Sequence, residues 1–217
     1  MTKEEELRFV NGAFEALVRR GAATQNMFTP SSVTDQDIDV FEKRFDIKLP
    51  SLFRTYLTSY CYDFSVICAP IPLDGVECAA ENCEKGLWWI ELLALPKENP
   101  LKNLYGLMES FREVCTNEEL IGLDLRSVSK LVPIGDWDGM LCIDLSDGTL
   151  CSFGQTEFDW EQAGYLDKNK IAHGIRRMGS FQELLELYFY GKYDMEYEKQ
   201  IVRNHEEKPD YSAYIQR

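Results

Sequence analysis

The sequence predicts an α+β fold, a mainly antiparallel twisted sheet flanked by helices. Two observations carry this. Apolar residues recur at helical spacing in separate stretches before, between and after a group of strand-like segments. Those segments, near 131–134, 139–145 and 149–154, are close neighbours in sequence, and Asp147-Gly148 between the last two is a strong signal for a two-residue hairpin turn. Adjacent hairpin strands among helices make an antiparallel sheet with helices packed on it.

The first helix is announced by Thr2 and Glu5, spaced as a capping box. Leu7, Val10, Phe14, Leu17 and Val18 give it one apolar face, and Gly21 suits its end. Thr29-Pro30-Ser31-Ser32 reads as a short linker. Residues 34–57, TDQDIDVFEKRFDIKLPSLFRTYL, then spell two helices and a corner. Thr34 and Asp37 form a capping box with the shorter acid, and Ile38, Phe41 and Phe45 make one stripe. Leu49-Pro50 breaks the helix, because the residue before a proline is pushed toward extended backbone and proline suits a first helical turn. Leu52, Phe53, Tyr56 and Leu57 are the buried face of the second helix.

Residues 62–95 mix strands with loops, and 87–95, LWWIELLAL, is their strongest apolar run. Asn99-Pro100 opens a further helix with Leu101, Leu104, Met108 and Phe111 inward. After the hairpin strands, Ser180 and Glu183 cap a last core helix carrying Phe181, Leu184, Leu185, Tyr188 and Phe189, with Gly191 at its end. From Lys192 the chain alternates charges with tyrosines. The expected organisation is a helical N-terminal extension over 1–33, a domain over 34–190 and a tail over 191–217, with no internal repeat.

Two of these blocks resemble a known family. The pattern I…FE…F.I.LP…F..YL within 34–57 is similar to the opening signature of the SUKH superfamily, which includes a yeast cell-wall-assembly regulator and many bacterial immunity proteins. Residues 131–154, LVPIGDWDGMLCIDLSDGTLCSFG, resemble its later block, in which a hydrophobic-Pro-Ile-Gly run precedes an Ile-Asp-Leu hairpin. The blocks come in the family's order. The resemblance implies the same α+β architecture and a role in binding another protein, and it extends to neither 1–33 nor 191–217.

At 217 residues the chain can bury a sizeable core. No apolar run approaches the roughly 18 residues of a membrane span. MTKEEELRF places acids where a secretion signal needs positive charge, so the expected location is cytoplasmic. Seven cysteines without a CxxC, far in sequence from His173 and His205, read as reduced buried thiols rather than as zinc ligands. The net charge is −14, and half of it falls in residues 131–161 through Asp136, Asp138, Asp144, Asp147, Glu157, Asp159 and Glu161, with no Lys or Arg among them. Trp137, Phe153, Phe158 and Trp160 stand in the same segment. Acids interleaved with aromatics suit a basic protein partner and repel nucleic acid and anionic membranes.

Catalytic patterns are weak. Asp136-x-Asp138 beside Gly139 lacks the further oxygen ligands of a calcium loop and reads as a turn, so no metal and no cofactor are expected. A carboxylate hydrolase would need one acid held protonated in an apolar setting. Asp144 is the candidate pocket acid, with Asp136 or Asp138 as its companion. A two-residue turn at Asp147-Gly148 places it opposite Cys151, on the face of Cys142 and Phe153. Gly135, Gly139 and Gly148 read as strand-end turn residues, and Trp88 and Trp89 as core.

The expectation is therefore a non-catalytic protein-binding module. The resemblance implies an immunity protein that occludes the basic active-site cleft of a cognate toxin domain, such as a nuclease. Asp136, Asp138, Glu157 and Asp159 would supply the field, and Trp137 and Trp160 the buried anchors. The alternatives are a regulatory protein using the same surface on an endogenous partner, and the Asp144 hydrolase.

Overall fold

The computed structural model describes residues 1–19, 23–63, 66–68, 90–116, 123–137, 139–153, 160 and 165–191. Gly21, Trp88, Trp89, Asp138, Glu157, Asp159 and the tail from Lys192 lie outside them. The fold is α+β. The helices are α1 (Lys3–Arg19), α2 (Asp35–Phe45), α3 (Ser51–Ser59), α4 (Lys102–Cys115), the short α5 (Leu125–Val128) and α6 (Phe181–Leu184), which continues as a π-helical turn over Leu185–Phe189. Strands β1 (Thr29–Pro30) and β2 (Tyr60–Cys61) form a small pair. The main sheet runs β3 (Val66–Cys68), β4 (Ile90–Leu92), β5 (Leu131–Asp136), β6 (Met140–Asp144), β7 (Leu150–Phe153) and β8 (Ile175–Met178) in spatial order, every neighbour antiparallel.

The caps form as spaced. Thr34 and Asp37 exchange hydrogen bonds, Thr34 N–H to Oδ2 at 2.8 Å and Asp37 N–H to Oγ1 at 3.2 Å. Thr2 and Glu5 do the same for α1, and Ser180 Oγ accepts from Glu183 N–H. These bonds satisfy donors that a helix start leaves orphaned. At the other end of α2, Asp46 adopts a left-handed conformation, and Pro50 then caps α3.

Helices α1, α2, α3 and α6, with the π turn, cover one face of the sheet. Val10, Phe14, Leu17, Ile38, Phe41, Phe45, Phe53, Tyr56, Leu184 and Phe189 meet Val132, Leu141, Ile143 and Leu150 there in one cluster. The N-terminal helix thus shares the principal core, and its Glu6 accepts from Ser51 Oγ (2.7 Å) and Thr55 Oγ1 (3.2 Å) of α3. Leu7, expected on its inner face, is 45% exposed.

The opposite face of the sheet is covered as well. Leu131, Cys142, Cys151 and Phe153 pack there with Phe111 and Cys115 of α4, Val128, Trp160, Tyr165 and Ala172. Burial on both faces explains why β5 and β7 read as nearly continuous apolar runs. Helix α4 serves both layers, with Leu104 and Met108 in the first and Phe111 and Cys115 in the second.

The β6–β7 hairpin differs from expectation in register. Asp144 N–H donates to Thr149 O (2.8 Å) and Gly148 N–H to Asp144 O (2.7 Å), so the loop is four residues long, Leu145 to Gly148. Gly148 supplies the positive φ of +77° that this loop needs. Asp144 therefore stands opposite Thr149, two residues from the expected Cys151. The face is unchanged, because a two-residue shift preserves side-chain alternation.

Candidate functional site

The second face of the sheet is incompletely covered, and the gap is a groove. Glu91, Asp136, Met140 and Phe153 are successive cross-strand partners, a row running over β4, β5, β6 and β7. The stripe Asn103, Gly106, Leu107, Phe111 and Val114 of α4 faces that row across a cavity of about 630 Å³. Trp160 also lines it, against the Phe153 ring at 4.7 Å between centroids, and Lys102 borders it. This volume is of the size that holds small ligands or a few side chains.

The walls are apolar and half-buried at Leu107, Val114 and Met140, while Phe111, Phe153 and Trp160 are buried. The rim is acidic. Glu91 and Asp136 stand directly opposite each other on neighbouring strands, where like charges disfavour the pairing. The Asp136 carboxylate accepts only a long bond from Gly139 N–H, 3.4 Å, and the Glu91 carboxylate has no hydrogen bond or ion pair among the described residues. Gly135 makes this seam possible. It lies opposite Leu92 within the ladder, and a Cβ there would overlap the Glu91 carbonyl oxygen. Its role is close backbone approach, not the strand-end turn expected for it. Gly139, with φ +116°, does serve a turn.

Gly106 is different. It sits in the interior of α4, where glycine costs about 1 kcal/mol relative to alanine. A Cβ at that position would meet nothing within 4 Å. Packing therefore gives no reason for the glycine, and its effect is to leave the groove wider.

Of the residues expected to meet a partner, Asp136 and Trp160 both line the groove and Trp137 does not. Asp136 lies on the groove rim. Asp138, Glu157 and Asp159 fall outside the described residues. Trp137 and Trp160 are 3% and 2% exposed, so neither indole presents side-chain surface to a partner. Trp137 packs on Tyr188 with the Arg177 guanidinium 5.5 Å over its ring, and Trp160 packs among Phe111, Phe153 and Tyr165. Large aromatics next to acids are core here because each buries some 150–250 Å², a gain that neighbouring surface charges do not cancel. Both Nε1 atoms are buried, and among the described residues neither has a hydrogen-bond partner.

Asp144 caps its own turn, accepting from Ser146 N–H at 2.8 Å. It pairs with Leu131 at one end of β5, whereas Asp136 pairs with Met140 at the other. Four residues of strand separate the two acids, about 13 Å. That exceeds the roughly 5–9.5 Å between carboxyls of a glycosidase pair, so the proposed Asp144–Asp136 dyad is not assembled.

Cys61, Cys115, Cys142 and Cys151 are buried free thiols. Burial pushes Cys115 and Cys151 up to about 12, and Cys142 well above the usual thiol range. Such thiols are poor nucleophiles and poor metal ligands. Among the described residues no group of three or more His, Cys, Asp or Glu is placed to hold a metal ion, and no helix is long and apolar enough to cross a membrane.

No family model matches the chain, and neither a curated protein nor a solved structure matches it. The likeness to the SUKH superfamily rests on the residues quoted for it.

Proposed function

We propose that this chain is a non-catalytic protein-binding module, an immunity-type protein that neutralises a cognate toxin domain by occluding its basic active-site cleft. The observation that carries the reading is the groove: apolar walls with an acidic rim, on a face where no group of three or more His, Cys, Asp or Glu is placed to hold a metal ion among the described residues. An apolar centre with charges at its edge is the anatomy of a protein interface. The excess of acids over 131–161 adds long-range attraction for a basic surface, and a nuclease cleft is basic because its substrate is polyanionic. The resemblance of the two blocks to the SUKH superfamily supports the same reading. Because both indoles are interior, the anchoring surface is the groove wall rather than Trp137 or Trp160.

The test is to look beside this gene for an encoded toxin domain, to co-express any such domain with the chain, and to measure binding kinetics at two salt concentrations. The expected results are protection from toxicity and an association rate that falls with salt. Changing Asp136, Asp138, Glu157 and Asp159 together to their amides should slow association and flatten that dependence, with less effect on dissociation. Absence of protection and of binding would remove the immunity reading. A partner other than a toxin would place the same surface in endogenous regulation.

A further inference from the structure

We propose that the groove between α4 and the sheet receives a segment of the protein partner in which an apolar side chain stands beside a lysine or arginine. This rests on the reading of the chain as a protein-binding module and names what the module recognises.

Two independent features specify the occupant. The Glu91–Asp136 pair places two carboxylates side by side on the rim, and neither is neutralised by a cation of the described residues. Lys102 borders the same groove and forms no ion pair with either. A single ammonium or guanidinium set between the two acids would turn a repulsive pairing into an attractive one, and a guanidinium can bond both at once. Second, the walls beyond the rim, Leu107, Val114 and Met140, are apolar and half-buried, and Gly106 holds the helix side open. They suit an aliphatic or aromatic side chain next to the cation. The occupant is a peptide segment because the chain is read as a protein-binding module.

The groove also accounts for what is otherwise locally unfavourable. A helix-interior glycine without a neighbour and like charges in register converge on one cavity, and sites are where local rules are broken for a ligand.

The experiment titrates the full isotope-labelled chain with acetylated, amidated hexapeptides that differ at one position, Leu-Arg, Leu-Ala or Leu-Glu at the centre of a Gly-Ser context. The Trp160 indole N–H resonance, assigned by its loss in Trp160→Phe, reports the groove. The expected result is a shift of that resonance by the arginine peptide, with affinity roughly tenfold above the alanine peptide and no shift by the glutamate peptide. Glu91→Gln with Asp136→Asn, which keeps shape, should abolish the arginine preference. Gly106→Phe, which fills the groove, should abolish the shift altogether. Equal response to arginine and alanine peptides, or shifts confined to another surface, overturns the proposal. So does a toxin domain that binds Gly106→Phe as it binds the wild type, an outcome that leaves the module reading intact; failure of the wild type to bind any toxin domain removes that reading instead.

Discussion

The α2–α3 corner and the α4 groove are built from similar residues and finished to different degrees. At the corner the buried charges are paired, although Arg54 Nη1, 2.8 Å from Glu42 Oε2, makes no hydrogen bond of good geometry. Glu42 is 5% exposed, and its Oε1 accepts from Leu49 N–H at 2.9 Å while Oε2 lies 2.5 Å from Lys48 Nζ and 2.8 Å from Arg54 Nη1. Arg54 also reaches Asp39 at 2.9 Å. One acid on α2 thus holds the Leu49-Pro50 turn and the helix that follows it, so the FE and LP of the SUKH-like pattern form a single device. At the groove the like charges of Glu91 and Asp136 face each other, the Trp160 N–H is unpaired among the described residues, and Gly106 has no neighbour. The corner's charges are paired within the chain, and the two acids of the groove rim are paired with no cation of the described residues.

That contrast ranks the expected effects of mutation. Phe41→Ala, in the corner's core between Phe45 and Tyr105, should cost about 3–5 kcal/mol in equilibrium unfolding, as large-to-small core changes do. A loss under about 1 kcal/mol would mean that the stripe on α2 is not structural.

Glu42→Ala should cost about 3 kcal/mol, because it removes the buried partner of Arg54, leaving only the exposed Asp39 and Asp35, and frees the Leu49 N–H. The effect should depend on pH. Burial opposes ionisation of Glu42, but the bonds from Lys48, Leu49 N–H and Arg54 outweigh it and hold the carboxyl below its ordinary 4.5. The contribution is then present above about pH 4.5 and lost as pH falls through the lower folded-state value. Wild type and Glu42→Ala should converge in stability under acid, and parallel pH curves for the two would contradict the ion-pair account.

At the rim the sign reverses. Glu91→Gln should leave stability unchanged or raise it by about 0.2–1 kcal/mol, since it relieves a like-charge cross-strand pair. Thermal or urea unfolding reads this directly, and a clear loss would show that Glu91 has a stabilising role. The smallest expected effect is none. Cys115, Cys142 and Cys151 should resist alkylation in the native chain at pH 8, being buried and far from ionising, and react only on unfolding. Mass spectrometry after native labelling checks this residue by residue.

The corner was legible because its signals are local. A cap spans three residues, a helical stripe seven, and Leu49-Pro50 marks its own break. Even Glu42 meets its partners within twelve residues, although an acid amid apolar helical spacing reads as surface until the turn brings Leu49 back to it. The groove is non-local. Glu91 and Asp136 are 45 residues apart in sequence, and Trp160 is interior because α4, more than 40 residues earlier, covers that face of the sheet. Charge pattern alone could not separate Trp160 from a surface aromatic. The hairpin register was missed because Leu145 and Ser146 lengthen the loop ahead of Asp147-Gly148, and β8 because Ile-Arg-Arg-Met lacks strand-like alternation. Gly106 was the one available clue to the groove, a lone glycine inside a helical stripe.

Gly106 also provides the most direct test of the contrast. If the groove is open for a partner and not for packing, Gly106→Ala should raise the free energy of unfolding by about 1 kcal/mol, the intrinsic helix preference with nothing in contact to oppose it. Urea denaturation of the two full-length chains under one buffer measures it. A stabilised variant is the predicted result; a variant less stable than wild type would show that the chain itself needs the glycine, and the groove would then be part of the fold rather than a place left for something else.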